Sequence, residues 1–190
     1  MKKIFIPILV TVVLASIVFI YKKNIPTKNQ VISSDLKNLT YKIDGVPFTL
    51  INGVAEKEIA PDSASKDIVR MFGEPVYGDL TGDGVNDAAI MLTKSSGGSG
   101  TFYYAVLAIA KNGGYEATNV LILGDRIAPQ TVEIHDGRAV YNYAERKTGE
   151  PMTARPSMGK SLWIHIDPKT GNIGEWVKDF EGEADVNKMS

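Results

Sequence analysis

The chain has no cysteine and only two histidines among its 190 residues. The first absence excludes disulfides, thiolate metal sites, cysteine nucleophiles and a lipid-modified N-terminal cysteine together. The second leaves little for imidazole chemistry. His135 and His165 fall on separate expected strands, and nothing in the sequence places them beside a serine and a carboxylate as a triad. A dominant charge is missing too: the formal net charge is −1. That balance hides an asymmetry, because residues 1–23 carry four lysines and no acid, and the remaining 17 basic and 22 acidic residues leave the rest of the chain at −5. A mildly acidic body offers no electrostatic footprint for nucleic acid. No internal repeat of fixed period marks a propeller or solenoid. What is present, 44% apolar and 23% charged residues, is globular composition sufficient for one domain and an appendage.

The appendage is N-terminal. Ile4 to Tyr21 is an uninterrupted uncharged run bracketed by Lys2-Lys3 and Lys22-Lys23. As a helix it would be about 27 Å long, near the lower limit for crossing a bilayer. Pro7 sits in its first turns, where a missing N–H costs least. A cleaved signal peptide and a buried core helix are the alternatives, but cleavage near Val13-Leu14-Ala15 would leave Ser16 to Tyr21 as an exposed apolar end. The expectation is an uncleaved signal anchor over 1–23, then a tether over 24–38, a β-domain over 39–180 and a disordered acidic tail over 181–190. A short basic leader places the N-terminus in the cytoplasm and the domain outside.

From Tyr41 onward the punctuation is that of β-structure. Asp44-Gly45 separates Tyr41-Lys42-Ile43 from Val46 to Leu50, the pattern of a two-residue hairpin, and Asn52-Gly53 supplies a second such turn. Ser65 to Phe72 reads equally as a strand or a two-turn helix. Ala88 to Leu92 is a short continuous apolar run, Thr101 to Ala110 a longer one rich in aromatic and β-branched residues, and Asn112-Gly113-Gly114 turns it into Tyr115 to Leu123. Thr131 to His135, Arg138 to Ala144, Leu162 to Ile166 and Ile173 to Val177 complete the series. The expected fold is all-β, a mainly antiparallel sandwich, barrel or curved sheet, preceded by one N-terminal transmembrane helix.

One stretch has spacing that implies specific chemistry, Asp79-Leu80-Thr81-Gly82-Asp83-Gly84-Val85-Asn86-Asp87. Oxygen donors at alternate positions with a glycine after the third is how a short loop wraps a calcium ion. Asp79, Thr81 and Asp83 would take positions 1, 3 and 5, the Val85 carbonyl position 7, and Asp87 position 9. Position 12 is Ile90, where an EF-hand needs a bidentate glutamate, so the loop leads into a strand. It resembles the calcium hairpins of integrin-type propeller repeats, with Thr81 replacing the usual Asp or Asn. The neutral hydroxyl lowers the expected affinity to roughly 10⁻⁴–10⁻³ M. The rival is a metal-free turn in which the aspartates accept hydrogen bonds from nearby backbone amides.

Other candidates are weaker. Gly97-Gly98-Ser99-Gly100 lacks the Lys-Ser/Thr ending of a phosphate loop and leads into a strand. Arg126, Arg146 and Arg155 are possible ligand contacts, with structural ion pairing as the alternative. Trp163, Trp176 and the tyrosines suit core or cross-strand packing. The succession Tyr41-Lys-Ile-Asp-Gly, Leu50-Ile-Asn-Gly-Val-Ala-Glu, Gly78-Asp-Leu-Thr-Gly-Asp-Gly, Gly97-Gly-Ser-Gly-Thr-Phe-Tyr-Tyr, Leu123-Gly-Asp-Arg-Ile-Ala-Pro-Gln-Thr and Gly149-Glu-Pro-Met-Thr-Ala-Arg-Pro-Ser resembles a group of uncharacterised bacterial envelope proteins. The resemblance implies an exported domain anchored in the bacterial cell membrane and carries no activity or catalytic residue. Two functions follow as expectations. One is a non-enzymatic extracytoplasmic binding or structural module of unknown envelope partner, its loop rigidified by calcium. The other is a hydrolase acting on envelope polymer or carbohydrate through Asp125, Arg126, Glu150 and Arg155.

Overall fold

A computed structural model describes residues 35–176 and contains eleven strands and no α-helix among them. The expected membrane segment, most of the tether and the acidic tail lie outside those residues. Packed chain begins inside the stretch that reads as a tether: Leu36 to Asn38 form a single 3₁₀ turn, and Leu36 is buried. Strands β1 (Thr40–Ile43) and β2 (Val46–Thr49) make a hairpin across Asp44-Gly45. Both turn residues have positive φ, 52° and 80°, the conformation that matches a tight turn to strand twist and favours Asp-Gly.

Next, β3 (Val54–Glu58), β4 (Lys66–Gly78), β5 (Asp87–Ser95), β6 (Phe102–Lys111) and β7 (Gly114–Asp125) form a five-stranded sheet in sequence order. The stretch readable as strand or helix is strand from Lys66 onward, because Ile68, Val69, Arg70, Met71 and Phe72 pair in antiparallel register with Ser95 to Met91. The ladder outweighs a periodicity that was ambiguous over eight residues. A second sheet has the order β11 (Ile173–Glu175), β10 (Met158–Ile166), β9 (Arg138–Glu145) and β8 (Ala128–His135). All pairings are antiparallel and join sequence neighbours, so no long crossover is needed.

The central strands β5 and β6 of the five-stranded sheet are buried on both faces, which explains their unbroken apolar runs. Ala88, Ile90, Leu92, Tyr104, Val106 and Ala108 join one core with Tyr41, Ile43 and Phe48 of the first hairpin. The alternate residues Ala89, Met91, Ala105 and Leu107 join a second core with Ala139, Tyr141, Tyr143 and Ile164 of the four-stranded sheet. Period-two alternation thus serves two cores from one strand. Each fully buried Leu, Ile or Val contributes about 1.5–3 kcal/mol relative to exposure. Lys94 of β5 ties the hairpin to the sheet: its Nζ lies 3.1 Å from Asp44 in the hairpin turn and 3.4 Å from Asp67 on β4. Burial and the neighbouring Asp44 carboxylate push the Tyr104 hydroxyl up to about 12.

Two consecutive polar side chains in β7 replace backbone bonds. Between Val106 and Ala108 the β6–β7 ladder is irregular, and there the Thr118 hydroxyl accepts from Leu107 N at 3.2 Å. Asn119 faces the other sheet. Its Oδ1 accepts from Ile173 N at 2.7 Å and its Nδ2 donates to Ile173 O at 3.0 Å, so one amide group mimics a strand residue and holds β11. Asn119→Ala leaves both Ile173 groups without their partner, a cost of about 1–2 kcal/mol. The expected result in amide exchange is lost protection at Ile173 with unchanged protection in β5. Retained protection at Ile173 would show that the clamp holds nothing.

Candidate functional site

The acidic segment closes the β4–β5 hairpin, and its two ends are held by different aspartates. Asp87 is the first residue of β5, pairs with Gly78 at the end of β4, and is fully buried. Its Oδ2 accepts from Leu80 N at 3.0 Å and Thr81 N at 3.2 Å, while Oδ1 accepts from Ala110 N at 2.9 Å near the end of β6. One carboxylate therefore fastens the start of the loop to a strand on the far side of β5. Burial pushes its carboxyl above the ordinary value, opposed by the Ala110 and Leu80 amides and reinforced by the charge of Asp83.

Asp79 winds the loop from inside. Its Oδ1 accepts from Gly82 N at 2.6 Å and Asp83 N at 3.2 Å, and its Oδ2 from Gly84 N at 2.9 Å. The Gly84 amide is the main reason this carboxyl sits below its usual range. Gly82 and Gly84 have φ of 79° and 82°, so the wrapping needs residues at ease in the left-handed region. Asp83 is exposed and spends Oδ1 on Val85 N at 2.8 Å.

These bonds sort the five expected metal ligands. A carboxylate has about four lone-pair sites, and three are used on Asp79 and three on Asp87. Asp87 spends its acceptors in the interior, as a strut between loop and sheet. The donors that remain for a cation are the Thr81 hydroxyl, the second oxygen of Asp83, the Val85 carbonyl and the last site on Asp79. Among the described residues no group of three or more acidic or histidine side chains is gathered closely enough to hold a metal ion by itself. A cation here would depend on the neutral donors and on water.

The arginines lie at a second corner, where the chain passes from one sheet to the other. Arg126 grips Asp125 through Nε at 3.0 Å and Nη2 at 2.7 Å, and Asp125 Oδ1 also accepts from Thr101 N at 3.0 Å. The guanidinium holds the Asp125 carboxyl below its usual range. Arg146 donates Nη1 to Arg126 O at 3.0 Å and Nε to Ala154 O at 2.6 Å, fastening the 147–157 loop to this corner. A Cβ on Gly124 would approach Ile127 to 2.8 Å, so the bend needs glycine. Glu150 accepts from Lys147 N inside its own turn, and Arg155 is exposed with no ion pair among the described residues. The structure thus joins Asp125, Arg126 and Arg146 directly, and each spends its hydrogen bonds on bracing the corner.

The histidines stay apart from this chemistry. His135 Nε2 lies 2.7 Å from Glu133, and His165 Nδ1 is buried without a partner among the described residues. The tryptophans are half-buried, Trp163 on β10 and Trp176 just after β11, with ring centroids 5.8 Å apart and the Arg138 guanidinium 4.3 Å above Trp176. The roles of Asn119 and Tyr141 were missed in the sequence. The only signal for Asn119 was a polar Thr-Asn pair interrupting an apolar strand; core packing of Tyr141 was readable, and the bridging role of its hydroxyl was not. Comparison with protein-family models, curated proteins and solved structures finds no match.

Proposed function

We propose that this chain is an anchored extracytoplasmic binding or structural module of the bacterial cell envelope, held in the membrane by Ile4–Tyr21. The segment Asp79–Asp87 acts as a clasp that calcium tightens. The observation that supports this reading is the loop's construction. Asp79 and Asp87 commit six backbone amides to holding its shape, while Thr81, Asp83 and Val85 are exposed residues of the same loop. A loop already wound needs little reorganisation to accept a weakly bound ion, and few carboxylates mean affinity suited to millimolar calcium outside the cell.

The test is a thermal melt of the protein with calcium and with chelator. At about 1 mM calcium and the affinity expected for such a loop, stabilisation should be about 0.4–1.4 kcal/mol, read as a midpoint rise of a few degrees. Asp83→Ala should abolish the rise without lowering the chelated midpoint much, since its one loop bond is exposed. An identical midpoint in both conditions removes calcium from the proposal.

A further inference from the structure

Asparagine followed by glycine occurs twice in this chain, at Asn52-Gly53 and Asn112-Gly113. Both pairs form turns with the same backbone. The asparagines have φ of 52° and 53° and the glycines 85° and 82°. Their surroundings differ. Gly53 is buried, its N–H donates to Lys37 O at 2.7 Å, and its carbonyl accepts from Met71 N at 2.9 Å. Asn52 N donates to the Asn38 side chain at 2.9 Å. A Cβ on Gly53 would touch Lys37 and Met71 at 3.8 and 3.9 Å. Gly113 is exposed, has no atom within 4 Å of where a Cβ would stand, and its amide has no acceptor among the described residues.

We propose that Asn112 is a site of spontaneous deamidation in the folded protein, and that Asn52 is held out of the same reaction by the packing of Gly53. The amide nitrogen of Gly113, after losing its proton to water, attacks Cγ of Asn112. A ring N–Cγ bond forms, the bond from Cγ to the side-chain nitrogen breaks, and ammonia leaves with the proton. One water then opens the cyclic imide at either carbonyl, giving aspartate or a β-linked isoaspartate. The net change exchanges ammonia for water, with no electron transfer. Glycine leaves the approach unobstructed, and a free, solvated amide can deprotonate and rotate. At Gly53 the attack must first break a buried hydrogen bond and move a peptide held on both sides. The product places a new negative charge beside the exposed Lys111–Glu116 pair. In its isoaspartate form it also lengthens the backbone of the two-residue β6–β7 turn.

The test ages the full-length protein at mildly alkaline pH, in native buffer and in denaturant, and follows both asparagines by peptide mass analysis. In the native protein Asn112 should convert about tenfold or more faster than Asn52, the factor to which ~1.4 kcal/mol corresponds. In denaturant the two rates should come together. Equal native rates, faster conversion of Asn52, or no native conversion of Asn112 while the denatured chain converts would each overturn the proposal. So would a gap that persists in denaturant, because local sequence and not the fold would then explain it.

Discussion

Replacing Asp87 with alanine is expected to lower stability by about 3 kcal/mol, because three backbone amides lose their acceptor at a fully buried position. For a domain of this size the midpoint should fall by roughly 10 °C. The pH dependence gives a second reading. Burial raises the folded Asp87 value above its unfolded one, so the folded state binds the extra proton in the window between them. Its contribution is fully present below the unfolded value of about 4 and is lost as pH rises through the raised folded value. The gap between parent and Asp87→Ala should therefore widen as pH falls from neutrality and level off below about pH 4. Asp79, Asp125, Glu133 and Asp167, whose values are lowered, act in the opposite sense; the last three lie outside the loop and cancel in the difference, and Asp79 cancels to the extent that the loop stays wound in both proteins. A gap that narrows on acidification would mean that the amide bonds outweigh burial at this carboxylate.

The second large effect is expected at Tyr141, whose side chain crosses the core from the four-stranded sheet into the five-stranded one. Its hydroxyl accepts from Ile90 N at 3.1 Å and has the carbonyls of Ile90 and Val106 each at 3.0 Å. Ile90 and Val106 are register partners on β5 and β6, so one oxygen touches both strands of the central pair. Complete burial pushes its ionisation far above the ordinary tyrosine range, and the group stays a neutral donor. Tyr141→Phe should cost about 1–3 kcal/mol through the stranded backbone groups, and Tyr141→Ala about 3–5 kcal/mol with the added cavity. The denaturant midpoint should fall with an unchanged slope. Tyr143→Phe is the control: that ring lies in the same core and its hydroxyl makes no hydrogen bond among the described residues, so the change should be near neutral. If both phenylalanine variants behave alike, the Tyr141 hydroxyl is not a strut.

Much of the strand order was legible because β-turn chemistry is local. Asp44-Gly45, Asn112-Gly113 and Asp136-Gly137 each sit where a positive φ is required at two successive residues, and few other dipeptides adopt that cheaply. The long apolar runs in β5 and β6 were legible as buried strands, but the existence of two cores was not. A run such as Ala88 to Leu92 is the same string whether one face or both are covered. The candidate loop was legible in residue type and spacing, and its division of labour was not. Asp87 looks like a ninth-position ligand until Ala110, distant in sequence, is seen donating to it.

By itself the sequence determined the all-β class, the turns, the alternation, and the acidic loop as the one place where spacing carries chemistry. These depend on backbone preferences and periodicity that act over a few residues. Only the tertiary structure decided which aspartate braces the fold and which keep oxygens free. It likewise decided that Arg126 and Arg146 hold a corner together, and that Asn119 and Tyr141 stitch one sheet to the other. Those roles arise from hydrogen bonds between groups up to 54 positions apart, and a buried polar atom takes its function from whichever distant partner satisfies it.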